Sequence, residues 1–256
     1  MLHKFNMQDS HSVGTPLDPN QVLSKVQLPY VDHKLSVPYQ AAVGSLLYAA
    51  QATRPDIAHA VSTVCQFCSN HTSVHWTSVK RIFRYLRGTT DTMLSYNKTQ
   101  GADIIGYCDS NYGGEVGDRR STTGYVFTIG GGAVSWCSKR QPTVATSTTE
   151  AEYMAMSAAA KEAIWLRKIV KELGFSTERP IIIFNDNNGA INLRKNNVYH
   201  GRTKHIDIQH HFVREAIKLG HVSIEGLTTT KMIADYLTKV VNKNKHELFA
   251  TSMGLK

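Results

Sequence analysis

Apolar and polar positions divide the chain into two kinds of pattern. Residues 1–37 are polar and carry Gly14, Pro16, Pro19 and Pro29, which predicts an extended or loop leader. From Pro38 the apolar residues fall at helical spacing. PYQAAVGSLLYAAQATRP predicts a helix that stops before Pro55, because the residue preceding a proline is pushed out of the helical region. DIAHAVSTVCQFCSN predicts a second helix, with Pro55 at its first position. SVHWTSVKRIFRYLRGT predicts a third. Ser73 can cap it, Trp76, Val79, Ile82, Phe83 and Leu86 face inward, and Gly88 ends it. Together these helices form a small basic unit over residues 38–98.

After that the period shortens. ADIIGYCDS, TTGYVFTIG and AVSWCSKRQ predict three strands, the last two joined by the turn at Gly130–Gly132. A long alanine-rich helix follows, running through TTEAEYMAMSAAAKEAIWL. IIIFND is a β-branched run suited to a buried strand. A short helix over residues 187–196, a helix in HIDIQHHFVREAIKLG and a strand in HVSIEGL come next. TTTKMIADYLTKV and KNKHELFATSMG predict closing helices. The order β-β-β-α-β-α-α-β-α predicts a mixed sheet with helices on its faces over residues 99–256.

Composition changes this picture only modestly. The chain has 256 residues, 41% hydrophobic and 19% charged, which suits an ordinary globular protein. Its net charge of +9 and pI near 9.4 suit a polyanionic partner, although a mild basic excess also serves solubility. The four cysteines provide no disulfide framework in a chain of this length. No stretch approaches a membrane span and no secretory signal is visible at the N-terminus, so no membrane partner is expected.

The acids carry the candidate chemistry. Glu150 and Glu152 both sit in the first turn of the long helix, and a spacing of two puts them on different faces. One is explained as a helix-start acid that satisfies orphan amides. The other lies among Ala151, Met154, Ala155 and Ala158, a face that reads as buried, and an acid there needs a partner. Asp109 closes the first strand and Asp186 the fourth. If those strands are adjacent and parallel, both carboxylates emerge at one sheet edge, where open α/β sheets bind ligands. Asp235, early in the helix that follows the last strand, is the fourth candidate. Four ionised carboxylates cannot gather without cations, and an all-oxygen site suits Mg²⁺ or Mn²⁺. Two such ions about 3.5–4 Å apart clamp the attacking and leaving oxygens of a phosphoryl displacement. Taken singly, each strand-end aspartate is more simply a turn residue.

YCDSNYGG, STTGYVF, SWCSKRQPTVATSTTEAEYMA, FNDNNGAI, KHIDI and IADYLTK, in that order, resemble the ribonuclease H domain of copia-type retrotransposon Pol polyproteins. VPYQAAVGSLLYAAQATRPDIAHAVSTVCQF and HWTSVKRIFRYLRGT resemble the thumb-like segment that follows the polymerase palm in the same polyproteins. The resemblance implies an α/β, ribonuclease H-like fold with a mixed five-stranded sheet flanked by helices, preceded by a small α-helical segment. It implies metal-dependent endonucleolytic hydrolysis of the RNA strand of RNA–DNA hybrids, with two Mg²⁺ or Mn²⁺ ions. Its four acids fall on Asp109, Glu152, Asp186 and Asp235, as catalytic residues and metal ligands, which leaves Glu150 as the capping or solvent-facing acid. The implied partners are the hybrid and an upstream polymerase palm. The implied location is a cytoplasmic retroelement particle or the nucleus.

Hybrid recognition calls for phosphate contacts, and Arg119, Arg120, Lys139 and Arg140 near the hairpin are the candidates; a solvated basic face explains them about equally well. Some ribonucleases H carry a histidine in the loop before the last aspartate. Here that loop reads GLTTTKM, and His205 and Asp207 lie upstream of it. YVDHK at residues 30–34 lacks the second aspartate of a polymerase box, so DNA synthesis is not expected. Cys65, Cys68, His71 and His75 are spaced too closely for a zinc finger, and the two cysteines read as small packing residues. Arg84-Tyr85-Leu86-Arg87 spells RxLR, which resembles the translocation motif of oomycete secreted effectors. In a helix it reads as Tyr85 and Leu86 packing with the arginines solvated. The alternative it raises is a non-enzymatic, retroelement-derived protein secreted and delivered into a host cell, where it would meet a host protein. A nucleic-acid-binding remnant is the third reading.

Overall fold

In a computed structural model, residues 1–24, 36–98, 103–114, 117–175, 178–187 and 204–256 are described, apart from the side chains of residues 204–207. The YVDHK string, most of the expected helix over residues 187–196 and the side chains of His205 and Asp207 lie outside them. The described chain divides into two compact units. One comprises Met1–Ser95 with Lys239–Lys256; the other is Tyr96–Thr238.

The first unit is helical. Helices α1 (Tyr39–Ala52), α2 (Ala58–Cys65) and α3 (Ser73–Gly88) match the three apolar patterns. Pro55 opens a single 3₁₀ turn that leads into α2. The α3 cap is Thr72 rather than Ser73: its N–H donates to His75 Nδ1 at 3.0 Å, so the helix starts one residue earlier than the sequence suggests. Tyr39, Leu46, Ile57, Val61, Phe67, Val79, Ile82 and Phe83 form the core, and Trp76 is only partly buried. Apart from one 3₁₀ turn at Leu2–Phe5, the described leader has no regular secondary structure. It packs through Leu17 and through the Phe5 ring, 5.1 Å from Phe83.

The RYLR string lies within α3. Tyr85 and Leu86 are buried as expected, but the two arginines are not merely solvated. Arg84 Nε donates to His11 O at 2.7 Å and Arg87 Nε to Gln8 O at 2.6 Å, so both hold the leader. His71 stacks on Tyr39 and His75 on Phe67. Burial pushes the Cys65 thiol up to about 11, as befits a packed side chain.

The last helix, α6 (Lys243–Ser252), and the residues after it group with this unit and not with the sheet, which differs from the sequence division at residue 98. The reason is a buried polar chain that no local pattern encodes. Arg54 pairs with Asp56 at 2.7 Å, Tyr85 Oη donates to Asp56 Oδ2 at 2.7 Å, and His246 Nε2 lies 2.8 Å from Tyr85 Oη. Because the phenol proton goes to Asp56, His246 is read as the Nε2–H donor. Backbone pairing adds to this: Met93 N–H donates to Lys256 O and Lys256 N–H to Met93 O.

The second unit is a five-stranded sheet, β1 (Ile105–Asn111), β2 (Thr122–Ile129), β3 (Gly132–Arg140), β4 (Ile181–Asn185) and β5 (Val222–Gly226), in the order β3-β2-β1-β4-β5. β1, β2 and β3 pair antiparallel; β1, β4 and β5 pair parallel. The α/β class and the ribonuclease H-like mixed sheet implied by the motifs are what the strands form. Helices α4 (Thr148–Glu172) and α5 (Lys204–Lys218) pack together on it. Ala159, Ala160 and Ala163 give α4 a small-residue face in the core with Cys108, Phe127, Ile183 and Ile224.

The segment after β5 departs from the pattern. Two 3₁₀ turns, Thr229–Lys231 and Ile233–Leu237, replace the expected α-helix, with Met232 extended between them. The β-branched run Thr228–Thr230 has poor helix propensity, and tertiary contacts fix the rest. β2 contains Gly124, where an added Cβ would lie 2.6 Å from Thr238 Cγ2 and 3.0 Å from Ala234 O. This close approach presses the Asp235 turn onto the sheet. Gly124→Ala is therefore expected to destabilise the protein by about 1–3 kcal/mol, measured by denaturant unfolding of the full chain.

Candidate metal centre

The site forms at the carboxyl ends of the parallel strands. In the β1–β4 register Tyr107 pairs with Phe184, and Asp109 and Asp186 lie two residues further along each chain. The adjacency and direction assumed for these strands hold. Gln141, just after β3, fixes the start of α4 against the same end of the sheet: its Nε2 donates to Thr123 Oγ1 and to Ala151 O.

The two first-turn glutamates separate by their bonds. Ser147 caps α4, accepting from Glu150 N at 3.1 Å, and Glu150 Oε2 accepts from Thr146 N at 2.7 Å. Glu150 is thus the capping acid, and it is buried rather than solvent-facing. Glu152 turns toward the strand ends. Its Oε1 accepts from Ser110 N at 3.2 Å and Ser110 Oγ at 2.8 Å, and its Oε2 from Asn185 Nδ2 at 2.8 Å.

Asp109, Glu152 and Asp186 each offer a carboxylate oxygen, and these atoms all lie within 4.8 Å of one another. Asp109 accepts a short hydrogen bond from Thr238 Oγ1. Asp186 accepts from Thr229 Oγ1 at 2.8 Å. Asp235 is buried in the second 3₁₀ turn, which packs on β1 and β2, but it stands outside the three-acid group. Thr238 N–H closes that turn on Asp235 O at 3.2 Å.

The electrostatics favour a cation. Burial, and next the negative charge of Asp109, push the Glu152 carboxyl up to about 7; the Asn185 and Ser110 hydrogen bonds oppose that shift. A hard divalent ion suits this all-oxygen donor set and would relieve the repulsion, so the residues fit Mg²⁺ or Mn²⁺. Among the described residues no other group of three acids, histidines or cysteines converges in this way, the Cys65–His75 set included.

The basic candidates surround Asp118 in the β1–β2 loop. Arg120 Nε and Arg140 Nη1 share Asp118 Oδ2, at 3.3 and 3.0 Å. Lys139 is exposed on β3 opposite Thr123, and Arg119 is exposed with a left-handed φ of 56°. Asn185, Ser110, Thr229 and Thr238, all bonded to the acids, carried no mark in the sequence. Their signal is adjacency: Ser110 and Asn185 each flank a strand-end aspartate.

The strand order and three converging carboxylates define a ribonuclease H-like domain. The chain is 46% identical over its full length to the retrovirus-related Pol polyprotein from transposon TNT 1-94 of Nicotiana tabacum. It spans 19% of the length of that polyprotein. It is likewise 37% and 34% identical, over its full length, to the retrovirus-related Pol polyproteins from transposons RE1 and RE2 of Arabidopsis thaliana. It is also 48% identical over 51% of its length to secreted RxLR effector protein 161 of Plasmopara viticola, covering 92% of that protein. Among solved structures, LC11-RNase H1 in complex with RNA/DNA hybrid aligns over 53% of this chain and 94% of its own, at 16% identity and a TM-score of 0.40, and adds nothing to the strand order above. No family model matches.

The Glu152 shift has a definite sign. The folded state holds a proton on Glu152 up to about pH 7, whereas the unfolded chain releases it near the ordinary 4.5. Stability from this group is therefore complete below about 4.5 and is lost as pH rises through about 7, by up to about 3 kcal/mol. Thermal melts in EDTA at pH 5 and 7.5 are expected to show a larger loss for the wild type than for Glu152→Gln. Added Mg²⁺ is expected to remove the difference.

Proposed function

We propose that the protein is a metal-dependent endonuclease that hydrolyses the RNA strand of RNA–DNA hybrids, as part or remnant of a retrotransposon reverse transcriptase. The observation that carries this reading is the convergence of Asp109, Glu152 and Asp186 within 4.8 Å at the ends of two parallel strands. Asp235, on the segment that also supplies Thr238, is the fourth acid in the reading. The acids would hold two Mg²⁺ or Mn²⁺ ions. Bound there, the ions supply the positive charge that activates water and offsets the charge developing at the scissile phosphate.

The chain's own groups do the rest. Thr238 and Thr229 donate to Asp109 and Asp186 and so hold those carboxylates in place. Arg119 and Lys139 are exposed for backbone phosphates. Arg120 and Arg140 share one aspartate, a surface pairing weak enough to yield to a phosphate. Selection of the hybrid follows from 2′-hydroxyl contacts across a wide minor groove rather than from base reading. Cleavage would leave a 3′-hydroxyl and a 5′-phosphate. The upstream polymerase palm is the partner, and a retroelement particle or the nucleus the location, that this reading carries with it.

Asp186→Asn keeps the shape of the side chain and removes one anionic ligand. Cleavage of a labelled RNA–DNA hybrid in Mg²⁺ is expected to fall at least 100-fold. Equal cleavage by both proteins, or none by the wild type in Mg²⁺ or Mn²⁺, would overturn the proposal.

A second reading is effector reuse, supported by the likeness to the Plasmopara viticola protein. Against it, Arg84 and Arg87 each give their Nε–H to a leader carbonyl. The double substitution Arg84→Ala with Arg87→Ala separates the two. Under the nuclease reading it loosens the leader, leaves hybrid cleavage near wild type, and changes nothing in a host-cell uptake assay. Lost uptake would favour the effector.

A further inference from the structure

We infer that Asn185, acting with Ser110, is a positioning residue that braces the three ligand-bearing elements and aims the Glu152 carboxylate. The inference rests on the proposed metal-dependent site and names what pre-shapes it. Asn185 is fully buried, and both ends of its amide are used. Nδ2 donates to Glu152 Oε2 at 2.8 Å and to Cys108 O at 3.1 Å, with Cys108 Sγ a weaker acceptor at 3.6 Å. Oδ1 accepts from Asn187 N at 2.9 Å, closing an Asx turn around Asp186. One side chain thus joins α4 at Glu152, β1 beside Asp109 and the turn that carries Asp186.

The chemistry explains why the group is an amide. A carboxylate here would add another anion to three already gathered. An alkyl side chain would leave the Asn187 N–H, the Cys108 carbonyl and one Glu152 oxygen without this partner. Only a neutral group with two donors and an acceptor serves all three. Ser110 completes the clamp from β1, giving its N–H and hydroxyl to the other Glu152 oxygen. The carboxylate is therefore oriented before any cation arrives. Partners of this kind, bonded to metal ligands, typically account for 10–100-fold in metal affinity.

The test uses the full chain with Asn185→Leu, which is nearly isosteric, and Ser110→Ala, which keeps the backbone donor. Mg²⁺ binding is measured by titration calorimetry, and the Mg²⁺ concentration for half-maximal hybrid cleavage is measured alongside it. Asn185→Leu is expected to raise both values 10–100-fold, with cleavage recovering at high Mg²⁺, and Ser110→Ala to raise them less. A purely structural role would lower the melting temperature and the active fraction but leave the half-saturating Mg²⁺ unchanged. Wild-type Mg²⁺ response in both variants would overturn the inference. If Asn185→Leu does not fold, as read by circular dichroism, Ser110→Ala decides alone. Failure of the nuclease reading looks different: the wild type binds Mg²⁺ and the variants bind it weakly, yet none of the proteins cleaves.

Discussion

Mutual repulsion among three crowded carboxylates, two of them buried, is the constraint on which the sheet unit depends. Asp109, Glu152 and Asp186 come from a strand, a helix and a turn, and nothing about three like charges favours their meeting. The fold imposes the meeting through backbone geometry: parallel pairing of β1 with β4, and a helix start pinned by Gln141. Neutral donors then make it tolerable. Thr238, Thr229, Ser110 and Asn185 each supply a hydrogen bond to an acid, and none adds charge. What remains uncompensated surfaces as the raised Glu152 carboxyl. Stability has been exchanged for an all-oxygen donor set of the kind that suits a divalent ion, a common arrangement where function and folding compete.

Much of this was legible in the sequence, because periodicity reports burial directly. The strand pattern in TTGYVFTIG, the β-branched IIIFND and the alanine-rich face of α4 each correspond to an element found. Glu150 and Glu152 were separable in principle by their two-residue spacing, but choosing the ligand required the surrounding motif. The neutral donors were not legible. A serine or asparagine beside a strand-end aspartate looks like ordinary turn chemistry, and its partner lies more than thirty residues away.

The misses share that cause. The segment after β5 carries a helix-like apolar pattern, yet contacts with Gly124 and Asp109 wind it as 3₁₀ turns. The RYLR arginines look free on a helix surface until the leader's carbonyls are in place. Grouping of α6 with the helical unit depends on His246 finding Tyr85, a pairing that spans the whole sheet unit in sequence.

That last pairing makes the ribonuclease H-like unit an insertion. The chain leaves the helical unit after Ser95 and rejoins it at Lys239, and the rejoining stretch brings buried Phe249, Met253 and Leu255. An excised fragment begun near residue 96 and carried on to the end would strand those apolar groups in water. The natural borders for isolating the sheet are two cuts, not one, and loss of the C-terminal tail alone would injure the helical unit while leaving the acids untouched.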